Sequence, residues 1–228
     1  MSNRKKLLGK LLALGMAVGM IPASMLGAAT ASNSNDPYYG TGEDTGPMDT
    51  IYGVVDDTTT PVITVPFTDV PAGAYYLEAL KWAIDEGITN GVSDTTFAPG
   101  QTCSEDQMIT FLWRVAGSPR PANAVSGTDY YSEAVQWARE KGIIVGNYGG
   151  GDVCDRAEMV TFLWRAFQRP HRLFSHRFVD VDAAADYYPA LLWALKEGIT
   201  NGTSESTFSP HAACTRAQMV TFLYRAYQ

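Results

Sequence analysis

Three histidines, three cysteines and a scatter of carboxylates are the residues of this chain best suited to chemistry. His171, His176 and His211 stand in connecting segments, without a nucleophile motif, a metal-binding helix or a phosphate loop around them. His171 and His176, in a linker with Arg169 and Arg172, read as solvated. Carboxylates such as Glu78 and Asp85 fall off a common helix face and form no acid–base pair in a shared cleft. Cys103, Cys154 and Cys214 each sit just ahead of the same kind of helix start. Three equivalent positions cannot pair off symmetrically, so these are expected to be small buried hydrophobes with free thiols. A zinc site would need a fourth ligand, and a calcium loop would need an Asp-x-Asp-x-Asp-Gly run, and neither is present. The expectation is no catalytic residue, no cofactor and no metal.

The elements that position these residues come as an internal repeat. The segment from Phe67 lies over the segment from Phe178 without a gap. Phe67, Asp69 and Val70 fall on Phe178, Asp180 and Val181, and Gly87-Ile88-Thr89-Asn90-Gly91 falls on Gly198-Ile199-Thr200-Asn201-Gly202. Further on, Phe97, Pro99, Cys103, Gln107 and Arg114 meet Phe208, Pro210, Cys214, Gln218 and Arg225. A third copy lies between them, with Tyr131, Trp137, Gly142 and Ile143 matching the first half and Cys154, Glu158, Phe162 and Arg165 the second. Its loop is four residues shorter, runs through Gly149-Gly150-Gly151, and lacks both the Phe-x-Pro element and the Phe-x-Asp-Val lead-in. The middle copy is the degenerate one.

Each copy reads as helix, loop, helix. Tyr187, Ala190, Leu191, Ala194 and Leu195 make one apolar face, and Gly198 followed by Ile199 fits a left-handed helix cap. Ser104-x-x-Gln107, Asp155-x-x-Glu158 and Thr215-x-x-Gln218 are capping-box signatures that open the second helices. Those second helices are apolar over most of their circumference, so the expected fold is all-α: three helix-loop-helix repeats forming a pseudo-threefold bundle, a three-pronged spindle. Trp82, Trp137 and Trp193 are expected in the core, and Arg114, Arg165 and Arg225 on a polar edge.

Residues 1–31 differ from the rest, with Arg4, Lys5, Lys6 and Lys10 ahead of an uncharged stretch that ends in Ala29-Thr30-Ala31. This reads as a signal peptide cleaved after Ala31; Pro22, Ser24 and several glycines weaken the rival reading of a retained anchor. Removal leaves 13 Lys+Arg against 24 Asp+Glu, a formal −11. Such an acidic product argues against a nucleic-acid partner and leaves no membrane contact after cleavage. Residues 32–66 read as a flexible linker, in which the β-branched Val62–Val65 would suit a short strand with nothing to pair with.

Phe178-Val179-Asp180-Val181, Gly198-Ile199-Thr200-Asn201-Gly202, Phe208-Ser209-Pro210 and Thr215-Arg216-Ala217-Gln218 together resemble the S-layer homology family, with Gln where the family has Glu. The resemblance runs over repeats at 67–120, 121–170 and 171–228. It implies a secreted cell-wall or S-layer protein that binds a secondary cell-wall polysaccharide, often pyruvylated, and catalyses nothing. A sugar carboxylate wants a bidentate cationic donor, the part implied for Arg156 and Arg216; in the first copy Glu105 takes that place, so its pocket is expected to be weakened. Asp69 and Asp180, and the rings of Tyr76, Tyr131 and Tyr187 or of the preceding Tyr75 and Tyr130, are the other expected glycan contacts. The alternative is a surface-layer structural module that binds a surface-protein partner or itself.

Overall fold

Local chemistry decides where each helix starts and stops. The computed structural model describes residues 63–123, 125–168 and 174–228; the expected signal peptide, the linker as far as Val62, and His171 lie outside them. Among the described residues the chain is all-α, with α1 Leu77–Asp85, α2 Glu105–Val115, α3 Ser132–Glu140, α4 Arg156–Ala166, α5 Tyr188–Lys196 and α6 Arg216–Tyr227. Ile63–Val65 are irregular, so no strand forms over that part of the β-branched run.

The second helix of each copy, α2, α4 and α6, opens on the reciprocal capping box that its sequence announces. Ser104, Asp155 and Thr215 accept from the backbone N–H three residues on, and the Gln107, Glu158 and Gln218 side chains return the bond. Two backbone donors per helix are satisfied in this way. The first helices, α1, α3 and α5, end on Gly87, Gly142 and Gly198, at φ 68°, 65° and 70°. The Gly87 N–H donates to Ile84 O and the Ile88 N–H to Ala83 O at 2.7 Å; Ile143 and Ile199 repeat the second bond to Ala138 and Ala194. These are Schellman ends that fold the following Ile back into the core.

The second Gly of Gly-Ile-Thr-Asn-Gly has a different reason. Gly202 lies at φ 88°, and a Cβ there would stand 2.5 Å from the Thr207 carbonyl oxygen and 2.6 Å from the Phe178 ring. Gly91 faces Phe67 and Thr96 in the same way. The Phe lead-in and this Gly are therefore one packing unit, with Phe67 stacked on Phe97 and Phe178 on Phe208 at centroid distances of 5.8 and 6.1 Å. Gly202→Ala is expected to cost about 2–4 kcal/mol through backbone strain and the clash with a carbonyl that cannot swing away. Thermal unfolding checks this, and an unchanged midpoint would contradict it.

Helices do not pair chiefly within a copy. α2 packs on α3, α4 on α5, and α6 returns to α1, so the last helix closes on the first; α4 also touches α2 and α6. The three tryptophans expected in the core are buried between these layers. At the second-helix starts the backbones join in a closed cycle: Cys103 N–H donates to Cys214 O at 3.0 Å, Cys214 N–H to Cys154 O at 2.9 Å, and Cys154 N–H to Cys103 O at 2.9 Å. The thiols are free and buried, as expected. Burial pushes Cys103 up to about 11 and Cys214 to about 12, and Cys154 higher still, so none offers a thiolate near neutrality.

Candidate ligand grooves

The closed cycle sends each second-helix start against a neighbouring copy's loop. Arg216, at the first turn of α6, reaches the loop of the first copy: its Nε donates to Phe97 O at 2.8 Å and its guanidinium lies 4.9 Å from the Phe97 ring centroid. Arg156 does the same to the third copy, donating to Phe208 O at 2.8 Å and to Thr200 Oγ1 at 3.3 Å, over the Phe208 ring at 4.9 Å. Arg156 and Arg216 are only 3% and 4% exposed, more enclosed than an open ligand donor would be. Desolvation lowers both guanidinium values, and an Arg so placed stays charged.

Asp69 and Asp180 hold the same loops from the other side. Asp69 accepts from the Phe97 and Ala98 N–H groups at 2.9 and 2.7 Å, and Asp180 from Phe208 and Ser209 at 2.9 and 2.7 Å. The middle residue of each Phe-x-Pro, Ala98 at φ 57° and Ser209 at φ 56°, is in the left-handed region, and these bonds secure it. Desolvation raises both carboxyls, but the backbone donors and the facing Arg outweigh it and both lie below the usual range. Their contribution to stability is present at neutral pH and lost as pH falls through those lowered values.

Of the aromatic candidates, Tyr76 is buried against Phe97, while Tyr131 and Tyr187 are half-buried. The exposed rings are their predecessors, Tyr75 at 67% and Tyr130 at 61%. Tyr75 lies in the field of Arg225 and Arg156, and Tyr130 in the field of Asp106 and Arg114. Arg114, Arg165 and Arg225 each donate to the carbonyl of the Ile that follows a Schellman Gly, namely Ile88, Ile143 and Ile199, at 2.9, 3.1 and 3.3 Å. They sit at the polar edge of their helices and are anchored there to the backbone.

The third groove, where the second copy meets the third, is built differently. A cavity of about 330 Å³ there is lined by Glu105, Tyr148, Glu158, Arg165, Asp186 and His211 among others. Glu105, 6% exposed, stands where Arg156 and Arg216 stand elsewhere, and the reason lies in what it faces. The shortened glycine loop turns N–H groups inward, and Glu105 Oε2 accepts from Gly149 and Gly150 at 2.8 and 2.9 Å. An Arg suits a loop that presents a carbonyl, and a Glu suits one that presents amides. Beside it, the Tyr148 hydroxyl donates to Asp106 Oδ1 at 2.7 Å. Sequence reading reduced this groove to the loss of an Arg and missed the gain of Glu105, Tyr148 and Asp186; the coincidence of the lost Arg with the lost Phe-x-Pro was the available signal.

Burial and the facing Glu158 push Glu105 above the usual carboxylate range, and burial likewise raises Glu158. A carboxyl whose folded value is raised stabilises the fold at low pH and loses that contribution as pH rises through the raised value.

The S-layer homology domain matches this chain at residues 66–109 and 177–220. The chain is 26% identical over 152 residues to an amylopullulanase of Thermoanaerobacterium thermosulfurigenes, covering 60% of this chain and 8% of that protein. It is 21% identical over 168 residues to an S-layer protein of Bacillus thuringiensis subsp. finitimus, covering 69% of the chain and 21% of that protein. With the surface-layer 125 kDa protein of Lysinibacillus sphaericus it shares 32% identity over 110 residues, 46% of the chain and 9% of that protein. The chain thus spans about a fifth or less of the length of these curated relatives. Two segments of this helical chain are thus similar to the S-layer homology domain, and two of these relatives are surface-layer proteins. No helix among the described residues is long and apolar enough to cross a membrane.

Proposed function

We propose that this chain, exported by residues 1–31, anchors at the bacterial surface by holding an acidic secondary cell-wall polysaccharide, pyruvylated sugars included, in grooves between three tandem repeats at 67–120, 121–170 and 171–228 set around a pseudo-threefold axis. The closed cycle of Cys103, Cys154 and Cys214 backbone bonds supports the threefold arrangement. The observation that carries the ligand reading is an exposed ring set in the field of arginines on two other elements, Tyr75 with Arg225 and Arg156. A flat ring offers a sugar its apolar face while the cations favour its carboxylate. Arg156 and Arg216 supply charge at the groove floors, Asp69 and Asp180 keep the loops shaped, Tyr76 and Tyr131 support the Tyr75 and Tyr130 rings that meet the sugar, and Tyr187 offers its own half-buried ring.

Co-sedimentation of the secreted chain with purified sacculi, before and after acid removal of their secondary polymer, tests this. Binding should vanish with the polymer and fall about tenfold in Tyr75→Ala/Tyr130→Ala, whose rings are mostly exposed. Equal sedimentation in every case, with concentration-dependent self-association, would instead favour protein assembly as the role of this surface.

A further inference from the structure

Three departures from the repeat pattern, one from each copy, meet in the third groove. α2 begins with Glu105 where α4 and α6 begin with Arg156 and Arg216. α4 carries Glu158 in its capping box where the others carry Gln107 and Gln218. Asp186 stands ahead of Tyr187 where Tyr75 and Tyr130 stand ahead of Tyr76 and Tyr131. All three acids line one cavity.

Glu105 and Glu158 line the same cavity, with Glu105 in the field of Glu158, and two carboxylates so placed repel each other unless the pair takes up a proton. Neither can easily turn away. Glu105 is held by the Gly149 and Gly150 amides, and Glu158 Oε2 by the Asp155 N–H at 2.8 Å. The surroundings add negative charge from every side: Asp106 beside Glu105 on α2, Asp152 from the glycine loop, Asp155 at the α4 cap, and Asp186 ahead of α5. Tyr148 and Tyr187 are the facing phenols and Cys154 the facing thiol. Against them stand Arg165, tied to Ile143 O, and His211, whose Nδ1 lies 3.1 Å from Asp155 Oδ2.

We propose that this groove is proton-gated: with Glu105 and Glu158 both ionised it repels the acidic polymer, and with a proton between them it joins the other two grooves in holding it. The inference rests on the polysaccharide reading above and adds its regulation. Burial of both carboxyls, and the charge of Glu158 beside Glu105, favour the protonated pair above the pH at which an exposed carboxyl would take a proton, so the gate responds to acidification. An additional engaged groove on the same polymer raises overall avidity without any change in the other two.

The test compares the full secreted chain with Glu158→Gln, which keeps the capping box that Gln107 and Gln218 form in the other copies. Sedimentation with sacculi is followed from pH 5 to pH 8, and thermal stability of the protein alone over the same range. The wild type should bind about tenfold more tightly at pH 5 than at pH 8 and gain thermal stability on acidification relative to the variant. Glu158→Gln should bind nearly alike at both, because titration of the polymer itself is common to the two proteins. Parallel binding profiles, or identical stability profiles, would overturn the gate and leave anchoring standing. Failure of both proteins to bind sacculi at any pH would overturn the anchoring reading and the gate with it.

Discussion

A chain ending at Pro210 loses cooperative unfolding altogether instead of a third of its stability. Residues 211–228 supply three things to parts of the fold far away in sequence. α6 is the partner of α1, where Trp82 packs on Tyr224 at 5.6 Å and the Tyr224 hydroxyl donates to Glu78 Oε1 at 2.7 Å. Cys214 closes the backbone cycle, so without it the Cys103 N–H has no acceptor and the Cys154 carbonyl no donor in a buried place. Arg216 holds the Phe97 loop of the first copy. Added to these, Met219, Val220, Phe222, Leu223 and Tyr227 are buried, at about 1.5–3 kcal/mol each for the large apolar side chains. Their sum is comparable with the whole stability of a domain, about 5–15 kcal/mol. In a linear repeat array each unit touches only its neighbours, and losing a terminal unit shortens the array without unfolding it. Circular dichroism and calorimetry distinguish the cases: a retained cooperative transition in the shortened chain would show a linear array and refute the closed cycle.

What could be read in the sequence was what depends on neighbours along the chain. The capping boxes, the Gly-Ile helix ends, the apolar faces and the burial of Trp82, Trp137 and Trp193 all follow from residues within about a helix length of one another, and the structure forms them where the sequence marks them. What could not be read was which copy each helix would serve. A periodicity argument finds the apolar face of α6 but does not say that α1, more than a hundred residues earlier, covers it. The same limit applies to the candidate site. Arg156 and Arg216 were legible as special, while their partners, the carbonyls of Phe208 and Phe97, come from loops that the sequence gives no reason to bring near. Asp69 and Asp180 precede helices and suggest caps, yet they bind loop amides 28 and 29 residues on. Glu105 is the sharpest case, since its fitness depends wholly on the glycine loop opposite.

That dependence makes a prediction which runs against the pattern of the repeats. Glu105→Arg would give all three copies the same residue, and bringing a repeat toward its own consensus commonly stabilises by about 0.5–2 kcal/mol. Here it should destabilise. The Gly149 and Gly150 N–H groups would lose their acceptor, at about 1–3 kcal/mol for a buried donor left unpaired. The guanidinium would enter a place 6% exposed whose loop lacks the Phe-x-Pro carbonyl and the flat Phe ring that receive Arg156 and Arg216. A buried cation without a hydrogen-bonded partner adds several kcal/mol more, offset in part by the nearby Glu158. A net loss of about 3–5 kcal/mol is expected, a fall of about 10 °C or more in Tm for a domain of this size. Glu105→Gln separates charge from hydrogen bonding, because its amide oxygen still accepts from the loop while the repulsion with Glu158 is gone. It should stay within about 1 kcal/mol of the wild type at neutral pH. A Glu105→Arg protein as stable as the wild type would mean that the loop, and not the residue at the start of α2, sets the character of the third groove.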